Sequence, residues 1–463
     1  MNRTDVTFAH RAVLIGLLLF GLAGVCCAQD FNYIVNPPRV QVSADVVPDG
    51  LPYCKNASLG SLICYSPNFV RTAYNFPTGL DGTGQTILIV DAFGSPTIPN
   101  DLALFDSLFG IPAPPSFTIL CDPAGCPATP ITANTRHGLF GWAIETSLDV
   151  EYAHAMAPGA NIVLVVASTN SGNAINSAEA RAIKLYPGSI MSQSFGIPEI
   201  FIHANNGQVL QAHRNYQAAA EKGITVLASS GDSGATFGFS IPMSNFPASD
   251  PLVTGVGGTQ GLPYIPLGTD DSCPMGQTCS SGLATFAGPC VLGRTVPPNC
   301  TPVGYGGEQV WNEPVFGAAT GGAPSLLFGV PSYQNGLGLT ARATPDVSYN
   351  AAVNGGVLVV TSALGSPALF IVGGTSAGSP QWASIFALVN QCRANHSLGP
   401  RGFANPTIYS LAGAGFHDIT VGNNELVGTP IGFNAGPGWD DATGWGTPNV
   451  ANVVSGLAGS TCP

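Results

Sequence analysis

Three groups of residues in this chain could act together on a carbonyl. The first is Ser376, within Gly373-Gly374-Thr375-Ser376-Ala377-Gly378-Ser379-Pro380, which lies between an apolar run (369–372) and a helix-like run (381–390). The two glycines permit a tight turn out of a strand. A helix starting just beyond would aim its free N–H groups at the Ser376 hydroxyl, where developing negative charge is stabilised. Pro380 suits the first turn of that helix, where its missing N–H has no intrahelical partner to lose. An N-capping serine in a Gly-rich turn would read the same way, so the rest of the chain must supply a base and an oxyanion donor. The second group is Glu145 and Asp149, four residues apart in a predicted helix over 140–156 and therefore on one face. If that face is buried, the two carboxyls cannot both ionise and will share a proton. A carboxylate beside a serine can take its proton, and does so best in acid. A solvated acidic surface is the alternative, but Trp142, Ile144 and Leu148 nearby are apolar. The third is Asp232 in Ser230-Gly-Asp-Ser-Gly234. It follows a predicted strand, at the carboxyl edge where open α/β sheets bind ligands, and in protonated form it could donate to a tetrahedral oxyanion. An Asp-Gly turn would produce the same sequence.

The elements that must hold these groups alternate. Strands are predicted at 86–90, 117–120, 161–167, 189–194 and 224–229, with helices at 100–109, 140–156, 174–185 and 208–222. That order predicts a parallel sheet with helices on both faces. Residues 265–345 are rich in Gly, Pro and Cys and read as surface loops stapled by two disulfides. Strand signals return at 356–361 and 369–372, and helical pieces at 406–411 and 450–457.

With 463 residues the chain can build one large α/β domain. Only 9% of residues are charged, and 14 Lys and Arg against 26 Asp and Glu give −12, which argues against a nucleic-acid partner and suits acidic surroundings. Residues 1–28 carry Arg3 and Arg11 and then an apolar run ending at Cys26-Cys27-Ala28. This predicts a signal peptide, hence secretion; the run is short of the ~20 residues of a membrane anchor. Residues 29–62 read as a short arm or leader and 63–463 as the main domain. The later cysteines at 54, 64, 121, 126, 273, 279, 290, 300, 392 and 462 are even in number, as disulfides require. Close spacing suggests pairing 54 with 64, 121 with 126, 273 with 279 and 290 with 300, leaving 392 with 462.

Together, Glu145-x-x-x-Asp149, Ser-Gly-Asp232-Ser-Gly and Gly-Gly-Thr-Ser376-Ala resemble the catalytic motifs of the sedolisin family, the serine-carboxyl peptidases. The pieces Phe246-Pro-Ala-Ser-Asp-Pro251, Val256-Gly-Gly-Thr259, Val310-Trp-Asn-Glu313 and Thr344-Pro-Asp-Val347 are also similar to it, so the likeness runs from about residue 64 to the C-terminus. The resemblance implies a subtilisin-like α/β fold, Ser376 as nucleophile, Glu145 as base, Asp149 as its proton-sharing partner and Asp232 as oxyanion donor. It implies peptide-bond hydrolysis in acid on protein or peptide substrates; the chain is expected to be a monomer. In the tail, Phe416-His-Asp-Ile-Thr420 and Ala435-Gly-Pro-Gly-Trp-Asp440 bring carboxylates to a Gly-rich loop, whose carbonyls suit a hard cation. The same resemblance implies one calcium ion there, with Asp418 and Asp440 as side-chain ligands and Ile419, Gly436 and Gly438 as carbonyl ligands. Members of the family usually carry a long folded prosegment, and 29–62 is too short for one.

Two other readings compete. A subtilisin-type triad would use Asp91, His137 and Ser376, with an imidazole base working at neutral to alkaline pH. An inactive secreted binding protein would keep the fold but lack one of the four catalytic groups, and none is missing. His154 reads as a helix-surface or supporting histidine, and His417 as a structural neighbour of the metal loop.

Overall fold

The computed structural model describes residues 30–43, 53–123, 136–261, 272–273, 278–287, 290–291, 301–429 and 431–462. The signal peptide expected over 1–28 lies outside them, as do Cys126 and Cys300.

Strand Thr86–Ala92 sends Ile87 and Ile89 into one hydrophobic cluster and Leu88 and Val90 into another. Asn161–Ala167 does the same, with Ile162, Leu164 and Val166 opposed to Val163, Val165 and Ala167. Period-two pleating with apolar side chains at every position requires cover on both faces. These strands centre an eight-stranded sheet in the order Glu308–Val310, Thr254–Gly261, Thr225–Ser229, Ile190–Gln193, Thr86–Ala92, Asn161–Ala167, Phe117–Asp122, with Val347–Asn350 also on Thr254–Gly261. Only the Glu308–Val310 pairing is antiparallel. Helices Arg136–Met156 and Gly378–Asn395 pack on one face and against each other, where Ser384 Oγ donates to the Ala153 carbonyl at 2.8 Å. Gly172–Leu185 and Gly207–Glu221 cover the other face. Their starts are capped by Ser171, which accepts from Ala174 N–H, and by Asn206, which accepts from Gln208 N–H. The architecture is the α/β one expected, a parallel sheet between two helical layers.

The 265–345 region departs from its reading as loops. Glu308–Val310 joins the main sheet, and Thr278–Ser281, Ala284–Ala287 and Thr301–Tyr305 form a small sheet of their own. Strands this short carry too few side chains to display a period. Thr254–Gly261 was also missed, because its glycines weaken any strand signal. Its place needs them: a Cβ on Gly258 would come 2.8 Å from Ala351 Cβ and 2.9 Å from the Trp311 ring.

A second, five-stranded sheet has the order Arg39–Val42, Ala368–Val372, Gly356–Thr361, Gly60–Tyr65, Tyr53–Asn56. Residues from the arm therefore flank the strand that leads to Ser376. The Cys54–Cys64 and Cys392–Cys462 disulfides form as expected. Cys121 is disulfide-bonded, to a residue outside the described ones, and the side chains of the other expected pairings (273 with 279, 290 with 300) are not among the described ones either.

Candidate active site

Strand Ala368–Val372 turns at Gly373-Gly374 into the short Thr375–Ala377 turn and then the Gly378–Asn395 helix. Gly374 has φ 96°, and a Cβ there would lie 2.6 Å from Asp232 Oδ2. Glycine thus lets the serine turn and the Asp232 loop close on each other. Asp232 Oδ1 accepts from Thr375 N–H at 2.8 Å and Thr375 Oγ1 at 2.9 Å, which leaves Oδ2 facing Gly374. Burial pushes the Asp232 carboxyl up to about 6 against the pull of those two bonds. Ser376 is buried, 6% exposed, and its hydroxyl donates to the Ser194 carbonyl at 3.4 Å.

Glu145 and Asp149 lie fully buried, one turn apart on the Arg136–Met156 helix. Burial raises the Glu145 carboxyl well above its usual range, and the charges of Asp91 and Asp232 add to that; the Ser376 hydroxyl and Arg39 act in the opposite sense. Ser376 is thus close enough for Glu145 to feel it. In this rotamer, however, the hydroxyl points at Ser194, and neither Glu145 oxygen has an aligned hydrogen-bond partner among the described residues. Asp149 Oδ1 accepts from Ser194 Oγ at 2.8 Å, and burial, Asp91 and Glu145 all raise its carboxyl.

Asp91, at the carboxyl end of Thr86–Ala92, makes the cluster a trio. Burial raises it well above the carboxylate range. It therefore sits among carboxyls, in surroundings that hold protons. The His137 side chain, which the triad reading needs, lies outside the described residues. His154 is not on the surface: it is buried between helices, bonded to the Pro112 carbonyl at 2.9 Å and 3.3 Å from Asp106. Sequence reasoning missed Ser194 and Arg39. Ser194 touches both Asp149 and Ser376, and only its place at the end of a predicted strand could have signalled it. Arg39 stacks on Phe140 at 5.0 Å and donates to the Pro37 carbonyl, holding a cation near the trio.

A cleft of about 730 Å³ opens on Ser376 and Asp232. One side is the arm. Ile34 N–H donates to the Gly196 carbonyl at 2.9 Å, Gly196 N–H returns a bond at 3.3 Å, and Gly373 N–H donates to the Pro38 carbonyl. Residues 34–38 thus bridge the two walls of the cleft.

In the tail, Asp418 Oδ2 accepts from Gly438 N–H at 3.0 Å and Asp440 Oδ2 from Gly436 N–H at 2.9 Å. Both carboxylates converge on one glycine loop, and burial raises Asp440. Among the described residues no three His, Cys, Asp or Glu side chains cluster, so a cation here would depend on loop carbonyls as well. The donor set fits a hard cation.

The chain is 34% identical to kumamolisin of Bacillus sp. (strain MN-32) over 409 residues, 85% of this chain and 63% of that protein. It is 31% identical to tripeptidyl-peptidase 1 of Homo sapiens over 337 residues, 68% of this chain and 52% of that protein. Among solved structures, Pseudomonas sedolisin, a serine-carboxyl proteinase, superposes with a TM-score of 0.65 at 26% identity, covering 87% of this chain and 100% of that one. The chain belongs to the sedolisin family. No protein-family model matches it. This sedolisin spans between about half and under two thirds of the length of the curated relatives it matches. Among its described residues no helix is long and apolar enough to cross a membrane.

Proposed function

We propose that this chain is a secreted, acid-acting serine-carboxyl peptidase that cuts peptide bonds of proteins or peptides, as a monomer. The observation that carries this reading is the meeting of the Ser376 turn with Asp232 on one side and the buried Glu145 on the other. Ser376 Oγ attacks the carbonyl carbon while Glu145 takes its proton, and protonated Asp232 donates to the oxyanion. Glu145 then passes the proton to the departing amine nitrogen, leaving an acyl group on Ser376. Water, deprotonated by Glu145, releases the acyl group as a carboxylic acid. Asp149, oriented by Ser194, shares the proton held between the two helix carboxyls. Acid favours the cycle because Asp232 donates only while protonated.

Asp418 and Asp440, with the carbonyls of Ile419, Gly436 and Gly438, would hold one calcium ion. Its charge would offset the carboxylates and order the loop.

Labelling with a fluorophosphonate or peptide-aldehyde reagent, with denatured protein as control, tests the nucleophile. Modification of Ser376 and its loss in Glu145→Gln are expected. An unlabelled native protein would favour the inactive binding protein. Labelling that peaks in alkali and disappears on replacing His137 would favour the Asp91-His137-Ser376 triad.

A further inference from the structure

We propose that Asn424 is a positioning residue for Asp232: its side chain fastens the segment 319–322 to the tail, and together they hold the Asp232 loop against the Ser376 turn. This rests on the peptidase reading above and adds the group that aims its oxyanion donor.

The loop Ser230-Gly-Asp-Ser-Gly-Ala235 has glycines on both sides of Asp232, and the segment facing it, Ala319-Thr-Gly-Gly322, ends in two more. Glycine restricts φ and ψ least, so neither piece fixes its own course and contacts must do so. Ser230 Oγ donates to the Gly321 carbonyl and Gly321 N–H to the Gly231 carbonyl, both at 2.7 Å. Ala319 N–H donates to the Asp232 carbonyl at 3.1 Å, and Gly234 N–H to the Ala319 carbonyl at 2.9 Å. Only a residue without Cβ permits this approach, since a Cβ on Gly321 would lie 2.2 Å from the Ser230 carbonyl oxygen. These bonds join two glycine-rich pieces to each other, so the pair needs anchors outside itself. Trp311 is one, its carbonyl accepting from Thr320 N–H at 3.0 Å.

Asn424 is the other, at the Gly322 end. It is fully buried; its Nδ2 donates to the Gly322 carbonyl at 3.0 Å, and its Oδ1 accepts from Phe433 N–H at 2.7 Å. Its own carbonyl accepts from Ala235 N–H at 3.3 Å, and a Cβ on Gly234 would lie 2.7 Å from that oxygen. One residue thus meets the Asp232 loop through its backbone and the facing segment through its side chain. With both ends of the amide engaged away from water, turning it would break bonds that nothing replaces. On the far side of the loop the Asp232 carboxyl meets Thr375 N–H at 2.8 Å. A small drift of the loop would carry the donor off the place where the oxyanion forms.

The test is a double-mutant cycle on the full chain with a peptide substrate, read as kcat and KM. Asn424→Ala should lower kcat about tenfold with KM within about twofold, and should cost nothing further in the Asp232→Ala background, where the group it aims is gone. Asn424→Asp carries the same cycle if the alanine protein does not fold: it keeps an acceptor for Phe433 N–H and donates to Gly322 only while protonated, so its loss should grow as pH rises. Asn405 is the control, equally buried and bonded to Thr254, Val253 and Tyr333. Asn405→Ala should lower Tm yet leave kcat within about twofold. Amide exchange reads the position without turnover: protection of Thr375 and Ala235 should drop about tenfold or more in Asn424→Ala and not in Asn405→Ala. Unchanged protection at Thr375, or an undiminished cost of Asn424→Ala in the Asp232→Ala background, overturns the inference. If no peptide is hydrolysed but the exchange result holds, the positioning stands and the peptidase reading falls.

Discussion

Glu145 and Glu308 are both buried, and their surroundings are opposite. Glu308 accepts from Tyr74 at 2.6 Å, Thr259 at 2.5 Å, Tyr305 at 3.0 Å and Thr447 at 2.5 Å, tying strands and loops of four segments together. Glu145 has no aligned partner among the described residues and faces Asp91 and Asp232. Burial raises both carboxyls, but four donors oppose it at Glu308. A carboxyl with every lone pair engaged holds structure, since moving its proton would break bonds that the interior cannot replace. One left short of donors beside a hydroxyl is free to exchange a proton with it. On the function proposed above, the proton-transferring role would fall to the unsatisfied member of the pair.

The largest effect expected is on turnover. Ser376→Ala should abolish peptide hydrolysis, and Glu145→Gln should lower kcat by about 10²–10⁴. A correctly folded Glu145→Gln protein with ordinary kcat would erase the distinction from Glu308. Asp232→Ala should cost about 10²–10³ in kcat. The unmodified enzyme's activity should fall as pH rises through about 6, where Asp232 loses its proton. A pH-rate profile rising into alkali is the result against it.

Glu308→Gln should instead lower stability by about 1–3 kcal/mol, seen in urea unfolding, while kcat of the folded protein changes severalfold at most. A hundredfold loss of kcat without a stability change would reverse the assignment of the two glutamates.

Glu179 gives a pH version of the same comparison. Burial pushes it up to about 8 against the pull of Asn215 and Tyr216, and its Oε1 has no aligned partner among the described residues. A carboxyl raised in the fold contributes stability below its unfolded pKa, about 4.3, and loses it as pH climbs through the folded value. Tm should therefore decline between about pH 4 and 8, and Glu179→Gln should flatten part of that decline. A Tm that rises over this range would contradict it. The smallest effect is expected at the tail loop. Chelation by EGTA should lower Tm by a few degrees and Asp440→Asn should remove that response; a Tm indifferent to chelator would dismiss the cation.

Much of this was legible in the chain. Apolar runs such as 161–167 announce strands because each residue must be buried on one face or the other, and Glu145 and Asp149 share a face because helical periodicity allows nothing else. Ser194 and Arg39 carry no such mark. A serine closing a strand and an arginine in an arm come beside the candidate site only through what lies opposite them.

Local rules acting within about ten residues determined the alternation of strands and helices, the turn that presents Ser376 and the pairing of two carboxyls on one helix. The tertiary structure alone decided that Asp91 would join them, that Asp232 would meet Gly374 across 142 positions of chain, and that the arm would cross the cleft. Those contacts depend on long-range closure of sheet and loops. Their protonation depends on how completely water is excluded, and no local stretch of sequence encodes that.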